Sequence, residues 1–95
     1  MLTNGIGSIE QISQGLPREQ QQRLHDLYSD YCAFLGTAER EVLRLRGREP
    51  GSAAYHAVQD RSLRNSSLAD TLFSQGLQEF GVCFGRNGYI AVVRA

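Results

Sequence analysis

Ninety-five residues, 41% of them hydrophobic, suffice for one domain spanning 1–95, large enough for a core yet small enough to gain from association. Ten Arg and no Lys balance ten Asp plus Glu, so no overall field draws the chain to nucleic acid or to an anionic membrane. No apolar run approaches the ~20 residues of a membrane span, two cysteines cannot build a disulfide framework, and Met1 to Gly15 lacks the pattern of a signal peptide; a cytoplasmic location without membrane partners is expected.

Residues 1–7 hold two Gly, an Asn and a Thr and are expected to fray. Ser8-Ile9-Glu10-Gln11 then has the form of a capping box, opening a short helix with Ile9 and Ile12 on its apolar side until Gly15 ends it.

The dominant element is a long amphipathic helix over 17–46. Leu24, Tyr28, Tyr31, Leu35, Ala38, Val42 and Leu45 recur at alternating steps of four and three, one stripe of a helix, while Arg23, Asp26, Asp30, Thr37, Arg40 and Arg44 occupy the far side. Pro17 suits the start, and Gly47 with Pro50 the stop. Gly36 is a soft spot costing about 1 kcal/mol relative to Ala, but the stripe keeps phase across it, so one helix is predicted. At 1.5 Å per residue it would be about 45 Å long, more than short elements can cover. A self-association seam of Leu24, Tyr28, Tyr31, Leu35, Val42 and Leu45 follows from that excess.

Ser52 can cap a third helix, carrying Ala54, Tyr55 and Val58 to about Arg64. Asn65-Ser66-Ser67 fits a glycosylation pattern but reads as a junction, and Ser67 to Asp70 repeats the capping geometry for a fourth helix with Leu68, Leu72, Phe73 and Leu77. Gly76 weakens its last turn.

The period then changes. Around Asn87-Gly88 the β-branched and aromatic residues predict a hairpin over 79–94, with strands at 79–86 and 89–94. A two-residue turn sets Phe84 opposite Ala91 and Val82 opposite Val93, placing the two Phe on one face and Cys83, Ile90 and Val92 on the other. Cys83, Tyr89, Ile90 and Val92 are thus the expected partner contact on the hairpin. The fold class is α+β, mostly helical: one long amphipathic helix, three shorter helices and a C-terminal β-hairpin.

Chemistry-bearing patterns are sparse. His25 and Cys32 lie about 10 Å apart along one helix and cannot hold one metal alone, and His56 with Asp60 has the spacing of a His–carboxylate pair but no nucleophile beside it. Gly81, Gly85 and Gly88 match neither the dinucleotide nor the P-loop pattern. No catalytic, metal or cofactor site is expected.

Arg40, Arg44, Arg46 and Arg48 crowd the end of the long helix, with Arg61 and Arg64 further on, which offers phosphate contacts. Helices followed by a hairpin resemble a winged helix in outline, yet the helix before the hairpin has no basic residue between Leu68 and Gln78. The expected function is therefore a small non-enzymatic interaction protein whose partner is itself or another protein; a DNA- or RNA-binding regulator using the Arg cluster and the hairpin is the second expectation.

Overall fold

The computed structural model describes residues 5–47 and 49–93. In chain order it holds β1 (Gly5–Ser8), α1 (Ile9–Ser13), α2 (Arg18–Arg44), α3 (Ala53–Phe80), β2 (Val82–Phe84) and β3 (Tyr89–Val92). The class is α+β and mostly helical: a long antiparallel pair of helices with a small sheet at one end.

α2 begins after Pro17, runs unbroken through Gly36, and is followed by Gly47 in the left-handed conformation (φ 79°). α3 is one helix of 28 residues, where two were expected. Ser52 caps its start, accepting from the Tyr55 N–H at 3.1 Å. Asn65-Ser66-Ser67 continues the helix because the seam keeps phase through it: buried Val58, Ser62, Ala69 and Gly76 all face α2. Small residues let the two helices approach, and the Ser62 hydroxyl donates to the Ala38 carbonyl across the gap at 3.2 Å. Gly81 (φ 67°) ends α3 and turns the chain straight into β2, which is why the first hairpin strand is shorter than predicted.

The sheet is antiparallel in the order β1-β3-β2. Residues 5–7, expected to fray, instead pair with β3, Gly5 opposite Val92 and Gly7 opposite Ile90; Met1 to Asn4 lie outside the described residues. The capping box at Ser8 forms as read, with both reciprocal bonds present.

Asn87 (φ 60°) and Gly88 (φ 83°) make the turn, and the Tyr89 N–H donates to the Arg86 carbonyl at 3.1 Å. The Gly85 N–H also reaches the Tyr89 carbonyl, so Gly85 and Arg86 together oppose Tyr89 in a bulge. That extra residue shifts the register: Phe84 pairs with Ile90 and Val82 with Val92. A one-residue slip exchanges faces. Ile90 (1% exposed) and Val92 (4%) are consequently buried beside Val82 and Phe84, which removes both from the expected partner contact.

The core sits at this end of the molecule. Ile9, Leu24, Leu27, Tyr28 and the four inward sheet residues form it, with Tyr31, Leu72, Phe73 and Phe80 around them. Phe84 is the hub of the rings, 5.4 Å from Tyr28, 5.3 Å from Tyr31 and 6.5 Å from Phe73 between centroids. The Tyr28 hydroxyl fastens the hairpin to α2, donating to the Gly85 carbonyl at 2.8 Å and accepting from the Gly88 N–H at 2.9 Å. Leu24 and Tyr28 of the expected self-association seam are therefore spent inside the chain's own core. The winged-helix outline also fails, since the hairpin is part of a sheet with β1 and covers one end of an elongated helical pair.

Candidate interaction surface

Away from the sheet, the helical pair has two unlike flanks. On one, ion pairs tie the helices together. Arg23 meets the Glu79 carboxylate in a fork at 2.9 and 3.1 Å, and this pairing raises the Arg23 pKa and lowers that of Glu79. Further out, Glu41 is shared between Arg44 at 3.3 Å and Arg61 at 3.5 Å.

The other flank is apolar and open. Leu35, Glu39, Val42 and Leu43 lie along α2 beside the seam, and Leu63 stands one turn before Ser66 on α3. Val42 is 53% exposed, Leu43 55% and Leu63 62%. Between the helices lies a groove of about 340 Å³ lined by Leu35, Ala38, Glu39, Val42, Leu43 and Ser66. It exists because Ala38 and Ser66 are too small to fill it. A second hollow of about 180 Å³ shares Leu35 and Glu39 with the first and carries the groove on to Tyr31, Cys32 and Arg86. Its closing charge pair is Arg86 with Glu39, which ties the hairpin turn to α2. Both Tyr28 and Tyr31 have raised pKa values, burial being the main cause at each; at Tyr28 the Cys32 thiol adds to it and the Gly88 N–H opposes it.

The expected seam thus divides in two. Leu24 and Tyr28 are internal, Tyr31, Leu35 and Leu45 are half-buried, and Val42 is exposed. Leu43 and Leu63 were not picked out from the sequence, although two leucines out of phase with the seams of long helices were the available signal.

The hairpin contact separates likewise. Tyr89 is exposed and Cys83 half-buried, both on the outer face of the sheet, where Ile6, Ala91 and Cys83 form a row across the three strands. Of the arginines, Arg40 donates to the Thr37 hydroxyl at 3.1 Å, Arg44 joins Glu41, Arg46 is exposed in the turn after α2, and Arg48 lies outside the described residues. The hairpin is at the opposite end of α2 from this cluster, about 40 Å away by the rise of a 27-residue helix. The two cannot grip one site.

Ser13 and His25 are the one nucleophile and base brought together among the described residues, Oγ to Nε2 at 3.1 Å. Ser13 is buried and its hydroxyl also bonds the Glu10 carbonyl at 3.2 Å, so the pair fastens α1 to α2. No hydrogen bond joins His56 to Asp60; His56 instead lies edge-on to Tyr55. Among the described residues no cluster of His, Cys, Asp and Glu is arranged as a metal site, and no helix is long and apolar enough to cross a membrane.

No protein family matches the chain, and no curated protein or solved structure is significantly similar to it.

Proposed function

We propose that this chain is a small non-enzymatic protein-interaction module that works in the cytoplasm and docks its partner, a second copy or another protein, on the apolar flank of the helical pair. One observation carries the reading: Leu35, Val42, Leu43 and Leu63 line or border a continuous groove that the chain's own side chains leave open. Large exposed apolar residues scattered singly are ordinary, whereas a contiguous strip rimmed by charge marks a contact surface. Groove and strip suit helix-on-helix packing. The unpaired cysteines Cys32 and Cys83 fit a reducing compartment.

Affinity capture from the source cell with two baits tests this, the natural chain and Leu43→Glu. A partner held by the first and lost by the second, with helical circular dichroism unchanged, supports the reading. Retention of the same partner by both baits overturns it.

A second reading, nucleic-acid binding, rests on the uneven spread of charge. Residues 40–64 carry six Arg against Glu41, Glu49 and Asp60, a net of +3 in a neutral chain. Duplex DNA retained at ~50 mM salt and weakened alike on every sequence by Arg40→Ala and Arg44→Ala would favour it; absence of retention would remove it.

A further inference from the structure

The uneven charge also bears on the apolar flank, and the inference drawn from it rests on the docking reading above. The molecule measures 51 × 19 × 18 Å, with the helix-helix turn at one end and the sheet at the other. Residues 40–64, which form the turn end, sum to +3; the remainder carry four Arg against seven carboxylates, a net of −3. Arg23 with Glu79 and Arg86 with Glu39 neutralise each other locally, leaving Glu10, Glu19, Asp26, Asp30 and Asp70 as the negative surplus of the sheet half. The chain is a rod, positive at its turn and negative towards its sheet.

Its exposed surface is 6271 Å², against about 5,500 Å² for a compact monomer of this mass. The excess, about 800 Å², equals one partner's share of an ordinary protein–protein interface.

We infer that the occupant of the apolar flank is a second copy of this chain, turned end for end. Two two-fold arrangements bring like flanks together. With the axis along the rod, both copies point the same way and both positive turns meet. With the axis across the rod, near the level of Glu39 at the middle of the groove, α2 lies antiparallel to the partner's α2. The positive turn of each copy then stands beside the stretch of the other that carries Asp30 and Asp70. Asp70 belongs to that level because its charge acts on Tyr31, whose ring meets Phe73. Apolar strips bury each other in either arrangement; only the antiparallel one also matches opposite charges, and like-charge juxtaposition disfavours the other. Strands play no part in this contact, and the sheets end up at opposite extremes of the dimer.

The test is a distance between spin labels placed on Arg18→Cys, an exposed position at the sheet end of α2, with Cys32→Ser and Cys83→Ala removing the native thiols. Position 18 lies twenty-one residues from the axis, so the antiparallel dimer separates the two labels by about 60 Å, and the parallel one by about 20 Å. The long distance, lost on adding Leu43→Glu and reduced in population as salt rises, is the expected result. A short distance, or a long one that Leu43→Glu leaves intact, overturns the inference. So does a monomer at ~100 μM; if Leu43-dependent capture of a foreign chain persists in that case, the docking flank stands and only its occupant is wrong. If the cysteine-free background fails to fold, the same label is attached to Arg18→Cys with Cys83 retained.

Discussion

Gly76 lies so close against Phe84 that a Cβ placed on it would come within 2.5 Å of the ring's Cζ. The glycine that weakens α3 in isolation is thus the position at which the central ring of the core enters the helix. Gly36, on α2, has only the end of the Arg40 side chain near it, at 3.4 Å. The same substitution should therefore act in opposite directions. Gly36→Ala should stabilise the fold by up to about 1 kcal/mol, the helix preference of Ala over Gly. Gly76→Ala should gain that preference and lose more, about 1–3 kcal/mol from overpacking. Thermal melts of the two variants would show one midpoint raised and the other lowered; two rises would mean that the Phe84 ring has free space.

A second expectation concerns the bond between α2 and the hairpin turn. Tyr28→Phe keeps the ring and removes the hydroxyl that serves both Gly85 and Gly88, leaving a carbonyl and an N–H short of partners. The cost should be about 1–3 kcal/mol. Burial also holds the Tyr28 phenol above its ordinary pKa, as it does Tyr31. Stability from the neutral phenols is complete below about pH 10, where tyrosines of the unfolded chain ionise, and is lost as pH rises through the higher folded values. The natural chain should lose stability steeply above that pH, and Tyr28→Phe less steeply. Equal slopes in denaturant titrations at pH 9 and 11 would speak against the buried hydroxyl.

The shifted register gives a third. Val92 is buried and Val93 is on the outer face, so Val92→Lys should place an unpaired charge in the core and cost about 3–5 kcal/mol, while Val93→Lys should be nearly silent. The two-residue turn without a bulge requires the reverse. Circular dichroism and melting of the two variants decide between the registers.

These features mark where the sequence was readable. α2 was legible because its apolar spacing holds phase for six steps and its ends carry Pro17 and Gly47. The turn at Asn87-Gly88 was legible for the same local reason, since both residues must accept positive φ. The bulge was not: it depends on Gly85, where a Cβ would meet the Tyr89 carbonyl oxygen at 2.8 Å, a contact between chain segments that no local pattern encodes. α3 was split at Asn65-Ser66-Ser67 because those residues favour caps in isolation; packing against α2 overrides that preference, and small side chains are what the close approach requires. β1 was missed because Gly5-Ile6-Gly7 has little strand propensity of its own and is ordered by the waiting edge of β3. The open flank followed from the same error, since a second long helix covers half of the seam and leaves Val42 and Leu43 outside.

Sedimentation of the natural chain and of Leu43→Glu at ~100 μM, where a site of micromolar affinity is filled, tests the central claim most directly. The natural chain should sediment as a dimer of the 10.6 kDa protomer. Leu43→Glu should sediment as a monomer with its helical content and melting midpoint unchanged, because Leu43 supports the contact and not the core. A natural chain that remains monomeric, or a dimer that Leu43→Glu leaves undisturbed, would contradict self-association through the apolar flank.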